Sequence, residues 1–233
     1  ARPAPAGAGR RKNRNLTSYR ERMMTEMSGL IYKDLMNLRR YLKQLLLIFV
    51  VFVFIFGFSG GNYSFASAYG VVLSAMVVLS SMSYDEQAKW DKYALTMPLS
   101  RRLLVGAKYL LSLLAIGVGA LLSLAVVVIS ALLGKAPMME GLATVGACAC
   151  VALLMLAVLL PCLYKFGIEK ARMMMIVIFL LPTLAILALS KLNVPMPGEE
   201  FWAGLLIAIP FVAALGYLLS YLVSVSIFSK KEL

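Results

Sequence analysis

Six long apolar stretches dominate this sequence and restrict what it can fold into. They cover roughly residues 44–60, 65–83, 106–133, 141–163, 173–190 and 201–227. A helix needs about 20 mostly apolar residues to cross a bilayer, and only helices or closed barrels satisfy the backbone in lipid. The alternating polarity of barrel strands is absent here, so we predict an all-α membrane protein with six transmembrane helices.

The composition agrees with this fold class, because 61% of the residues are hydrophobic and only 15% are charged. Lys108, near the boundary of the third stretch, is the one charged residue within the six stretches. Ion-driven carriers normally keep charged side chains deep in the membrane. The remaining polarity is mostly hydroxyl, which favours lipid-like or amphipathic cargo and transport powered from outside the spans.

Lysine and arginine placement predicts the orientation, because basic residues near span ends stay in the cytoplasm. With both termini inside, the cytoplasmic side holds 21 of the 23 basic residues, and only Lys135 and Lys191 lie outside. Without residues 1–26 the ratio is still 14 to 2. The rule accounts for the net charge of +12 without a nucleic-acid partner.

Residues 1–26 are polar, basic and rich in Ala, Pro and Gly, with no apolar run of the signal-peptide type. We predict that they are an unfolded arm. A segment added for expression or a misplaced start explains them more simply than a basic arm at an anionic membrane surface. The transmembrane domain then comprises residues 27–233.

An amphipathic segment precedes the first span. Its apolar positions recur with helical spacing, whereas basic and polar residues occupy the positions between them. We predict an interfacial helix over roughly 27–43, which as an alternative could simply extend the first span. The residues that would meet the headgroups are Tyr32, Lys33, Arg39 and Arg40.

The segment between the second and third spans is charged and aromatic. Asp85 and Glu86 suit a helix N-terminus, Pro98 would end the helix, and a ridge recurs at Trp90, Tyr93, Ala94 and Met97. Such aromatics can anchor a helix at the membrane interface. Aromatics among charges are also typical of protein interfaces, so a soluble cytoplasmic partner is the competing interpretation.

The LIYKDL start, the loop YDEQAKWDKYALTMPLSRRLLVGAKYL and the six-span layout resemble membrane permease subunits of type-2 ABC exporters. The similarity covers about residues 27–233 and is nearest to bacterial phenol-soluble-modulin and bacteriocin exporters. It implies a permease in the bacterial cytoplasmic membrane that dimerises, with a homodimer favoured. Its cargo would be an amphipathic peptide.

The resemblance also implies roles for individual residues. The 27–43 helix would be an elbow, the 84–97 helix would couple to a cytoplasmic ABC ATPase subunit, and ATP and Mg²⁺ would be bound by that partner. The membrane entry of the third span would carry Arg101, Arg102 and Lys108. Contacts with the ATPase would come from Asp85, Glu86, Trp90, Asp91, Tyr93 and Met97.

Catalysis by the chain itself is not expected. It has no phosphate-binding loop of the G-x-x-x-x-G-K-[ST] type, and histidine, the commonest general base, is missing. We therefore predict no catalytic residue, no metal site and no cofactor on this chain. A drug or lipid exporter and a scaffold that transports nothing remain alternatives, whereas an intramembrane enzyme is disfavoured.

Overall fold

The computed structural model describes residues 8–58, 63–96, 99–134, 137–171 and 199–230, with further helical positions between 173 and 184. Within these ranges the chain is helical and contains no strand. The helices are α1 (Ala8–Phe58), α2 (Tyr63–Gln87), α3 (Trp90–Thr96), α4 (Arg101–Leu132), α5 (Met138–Phe166) and α6 (Glu199–Lys230).

In the described part of the chain, four helices are long and apolar enough to cross a membrane, as expected for four of the predicted spans. They correspond to the second, third, fourth and sixth apolar stretches. The first stretch, 44–60, lies on α1 and runs past the last described residue of that helix, Phe58. Most of the fifth stretch, 173–190, lies outside the described residues.

A separate elbow helix is not confirmed, because the predicted segment is part of the 51-residue helix α1. Its buried positions Asp34, Leu38, Leu45 and Phe49 form one stripe that runs on without interruption into the apolar half. No proline occurs in α1 to break the backbone ladder. The helix also begins at Ala8, so residues 8–26, which were predicted to be unfolded, are helical.

Turn residues and a helix cap define the connections that follow α2. The chain turns between α2 and α3 at Lys89, which adopts a positive φ of 50°. The side chain of Ser100 accepts a hydrogen bond from the Leu103 N–H and caps the start of α4. The turn after α4 uses Gly134 and the turn after α5 uses Gly167, both with positive φ.

Helices α2, α4 and α5 pack together at the centre of the bundle, α6 packs on α5 and α4, and α1 packs mainly on α2. Close approach of α2 and α4 depends on two glycines. A Cβ atom at Gly119 would lie 2.6 Å from the Ser74 Cβ and 2.8 Å from the Gly70 carbonyl oxygen. This contact sets how α4 sits relative to α2.

Candidate functional site

The prediction that Asp85 and Glu86 begin the 84–97 helix is wrong. Asp85 and Glu86 lie in the last turn of α2, not at the N-terminus of the next helix. The helix continues past the apolar stretch because the Asp85 carboxylate finds counter-ions inside the bundle. The backbone then turns at Ala88 and Lys89, where the N–H of Ala88 donates to the Tyr84 carbonyl.

The short helix α3 covers the second half of the predicted 84–97 helix, whereas residues 84–87 belong to α2. Its predicted ridge is divided between two environments. Trp90 is half-buried and Ala94 is 1% exposed, whereas Tyr93 is 63% exposed. Met97 lies outside the described residues. Among the aromatic residues of this ridge, Tyr93 is therefore the exposed one.

Four charged side chains from three helices meet behind α3, and we call them the charge cluster: Lys33 and Asp34 of α1, Asp85 of α2 and Lys108 of α4. The Lys108 ammonium lies 2.6 Å from one Asp85 carboxylate oxygen and 2.8 Å from an Asp34 oxygen. The Lys33 ammonium lies 2.7 Å from the other Asp85 oxygen and 3.1 Å from Asp34.

Burial makes the pairing of these charges important for stability. The side chains of Asp34, Asp85 and Lys108 are at most 9% exposed, and an unpaired charge there would be strongly unfavourable. The two cations and two anions neutralise each other, and the ammonium of Lys108 also donates to the Ser81 hydroxyl at 2.6 Å. The charge cluster therefore holds α1, α2 and α4 in one arrangement.

The charge cluster reaches α3 through an aromatic ring. The Lys33 ammonium lies 3.9 Å from the centroid of the Trp90 ring, within the range of a cation–π interaction. A cavity of about 120 Å³ separates this ring from α4 and the end of α5, and it is lined by charge-cluster residues together with Glu86, Asp91 and Tyr164. One face of α3 is thus attached to the bundle.

A second link joins the end of α2 to the turn after α5. The Glu86 carboxylate accepts a hydrogen bond of 2.8 Å from the Ile168 N–H. Glu86 was predicted to contact a partner, and the structure gives it this internal contact as well. The end of α2 and the turn after α5 are therefore in direct contact.

Asp34 was not predicted as a site residue, although the sequence contains a charge pattern that could have identified it. It is the one acidic residue between Met27 and Tyr84, and Lys108 is the one charged residue within the apolar stretches. Two isolated opposite charges in a membrane protein favour a buried pair. The local helical pattern around Lys33 hid this signal, because it assigned Asp34 to a solvated face.

Comparison with known proteins gives the chain its family. The model of the ABC-2 family transporter proteins matches residues 29–229. The chain belongs to this family. No significant match was found among the curated proteins, and none among the solved structures. As an ABC-2 family protein, the chain is a membrane subunit of an ABC transporter and works with an ATPase subunit.

The predicted membrane-entry residues of this ABC-2 protein have three different environments. Arg101 donates from Nη1 to the carbonyl oxygens of Phe228 and Ser229, at 3.0 and 2.8 Å, and so caps the end of α6. Arg102 is exposed, as are Tyr32, Arg39 and Arg40 of the predicted elbow, and Lys108 belongs to the charge cluster.

Hydroxyl groups in the spans of the transporter bond to one another. The Tyr109 hydroxyl lies 2.6 Å from the Ser220 hydroxyl and 2.8 Å from that of Ser224. The Tyr217 hydroxyl donates to the Tyr109 carbonyl at 2.7 Å and also contacts the Ser112 hydroxyl. This hydroxyl network joins α4 to α6 inside the membrane.

In the part of the chain that the structure describes, no group of three or more metal-ligating side chains could hold an ion. The acidic residues nearest to such a role, Asp34 and Asp85, already bind lysine ammonium groups.

Proposed function

We propose that this chain is the permease subunit of an exporter in the bacterial cytoplasmic membrane. Two copies would pair with each other and with two cytoplasmic ATPase subunits, and both termini would face the cytoplasm. The ATPase would bind ATP and Mg²⁺ and carry out hydrolysis. The favoured cargo is an amphipathic peptide of the phenol-soluble-modulin or bacteriocin kind.

The observation that carries this proposal is the two-sided character of α3. Its outer face presents the 63% exposed Tyr93, and its inner face places Trp90 over Lys33 of the charge cluster. Exposed aromatics next to charges are favoured anchors of protein interfaces. A helix attached on one side and open on the other suits the coupling element of a permease.

Force applied to α3 would reach the spans through the charge cluster. Its ion pairs connect α1, α2 and α4 within 3.1 Å, and separating them would expose unpaired charges in a buried site. The helices at this end are therefore expected to move with α3 as one unit. The Glu86 contact with Ile168 extends the same unit to the turn after α5.

The cargo class rests on the resemblance to peptide exporters and on the chemistry of the spans. No charged side chain other than Lys108 occurs in the apolar stretches, which disfavours a solvated ion. Drug or lipid export is compatible with the same surfaces. A scaffold without transport would also bind a cytoplasmic protein through α3, so transport has to be measured directly.

The first test is to co-purify the chain with its ATPase subunit and to compare wild type with Tyr93→Ala. Loss of a central interface aromatic typically costs about 2 kcal/mol or more, so we expect roughly 30-fold weaker association. ATP hydrolysis by the pair and peptide export from vesicles are measured on the same samples.

Tyr32→Ala is the matched control, because Tyr32 is a tyrosine with a similar exposure of 66% that belongs to α1 and not to α3. It should leave the association unchanged. Equal loss in both variants would place the interface elsewhere. Normal association with no peptide export by the wild-type pair would favour the scaffold.

A further inference from the structure

An apolar groove runs along the side of the bundle between α1 and α4, with α2 as its floor. Its volume is about 470 Å³, and Ser74 contributes its one hydroxyl side chain. Small residues on α2 and α4 make the floor deep, whereas bulky aliphatic side chains form both walls. The floor includes Gly70, Ser74, Ala115 and Gly119.

The two walls of the groove differ in length: on α1 its lining runs from Ile31 to Phe49, roughly 27 Å of helix axis. On α4 it extends from Leu111 to Leu122, which corresponds to roughly 16 Å of helix axis. Half of a hydrocarbon core about 30 Å thick is about 15 Å. A channel of this depth and apolarity fits a lipid acyl chain lying parallel to the spans.

Two basic side chains, Arg39 and Lys43, lie beside the α1 wall of the groove, about midway along that wall. A shallower depression on α1 is lined by Arg39 and Lys43 and shares Leu35, Leu42 and Leu46 with the groove. Both basic residues are exposed, and neither forms an ion pair within the described part of the chain. Such side chains extend along apolar surface and place their charge at the lipid headgroups.

We infer that this groove binds an anionic phospholipid, with one acyl chain between α1 and α4 and the phosphate beside Arg39 and Lys43. The charge of these two side chains selects an anionic headgroup over a zwitterionic one. The inference rests on the proposed function only for the placement of α1 in the membrane. Lipid binding needs neither the ATPase nor transport, so it can fail or succeed independently of them.

The test uses the purified full chain in detergent, titrated with phosphatidylglycerol or with phosphatidylcholine of the same acyl chains. Native mass spectrometry counts bound lipid and protein copies together. We expect phosphatidylglycerol to bind more tightly to wild type. Replacing both Arg39→Gln and Lys43→Gln should weaken phosphatidylglycerol binding roughly 30-fold, with little change for phosphatidylcholine.

Two further variants distinguish binding of the lipid headgroup from binding of its acyl chain. Val118→Trp fills the groove from a position that is 56% exposed, so the fold should tolerate it, and it should weaken both lipids. The control removes two exposed charges from the same end of the bundle, by Lys165→Gln and Lys170→Gln. It should leave the lipid preference intact.

Three results would overturn the inference. The first is equal binding of both lipids by wild type, and the second is an equal loss in the control and in the Arg39 and Lys43 variant. The third is a Val118→Trp protein that keeps its lipid but changes from dimer to monomer, which would make the groove a contact between two copies.

Discussion

At the scale of single residues, the charge cluster shows why a membrane protein keeps ionic groups at a helix boundary. Lys108 alone would be costly at its 9% exposure, and so would either carboxylate. Together they form a neutral set that fixes the positions of three helices. Its contribution is best described as specifying one arrangement of α1, α2 and α4, since buried ion pairs are often replaceable by apolar residues without loss of stability.

Removing one member should therefore be harmful. Lys108→Met leaves Asp34 and Asp85 buried with only Lys33 between them, and breaking a buried pair typically costs about 3–5 kcal/mol. We expect the melting temperature of the purified protein in detergent to fall by roughly 10 °C. Asp34→Asn, added to Lys108→Met, restores charge balance and should recover part of this loss.

Lys92→Met provides the control, because Lys92 is an exposed lysine of α3. It removes the same charge from the chain without touching the charge cluster. A Lys108→Met protein as stable as this control would show that the ion pairs do not hold the helices together.

At the scale of elements, packing of α2 against α4 depends on which glycine faces the partner helix. Gly117 and Gly119 are both on α4, but only Gly119 meets α2, and a Cβ at Gly117 would contact nothing within 4 Å. The sequence suggested small-residue contacts in general. It could not tell these two glycines apart, because their difference depends on the rotation of α4 about its axis.

Gly119→Ala should destabilise the protein by about 1–3 kcal/mol, because its methyl group would collide with Ser74 and the Gly70 backbone. Gly117→Ala should be neutral, or stabilising by up to about 1 kcal/mol, since alanine is the better helix former. Thermal unfolding of both variants in the same detergent measures the difference. Equal effects would mean that α2 and α4 do not approach closely at Gly119.

The sequence predicted elements better than it predicted their contacts. The second, third, fourth and sixth spans follow from apolar length, and α3 falls inside the predicted 84–97 segment. Asp85 was misassigned because its counter-ions, Lys33 and Lys108, lie far from it along the chain. Local patterns carry no information about such pairings.

At the scale of the whole molecule, the two ends of α4 mark the two ends of the helical bundle. Tyr93 lies just before the first end and Leu133 caps the second, and the 32-residue helix separates them by roughly 48 Å. The charge distribution predicts that Tyr93 is on the cytoplasmic side. The helical bundle is compatible with either orientation, so this part of the fold needs a direct measurement.

Cysteine labelling can decide the orientation. In a background where Cys148, Cys150 and Cys162 are replaced by alanine, Leu133→Cys should react with a membrane-impermeant maleimide in intact cells. Tyr93→Cys should react only after the membrane is permeabilised. Both positions are exposed, at 60% and 63%, so accessibility is matched. The reverse pattern of labelling would place the termini outside.

The hydroxyl network between α4 and α6 has a consequence for how such a bundle could change shape. Sliding these two helices apart would break several hydrogen bonds in a medium that offers no water to replace them. On the opposite side, α1 and α4 are separated by an apolar groove whose contacts can be exchanged for lipid at little cost. An opening motion would therefore keep α4 and α6 together and, because the charge cluster ties α1 to α4 at one end, would widen the seam beside α1 only toward the other end.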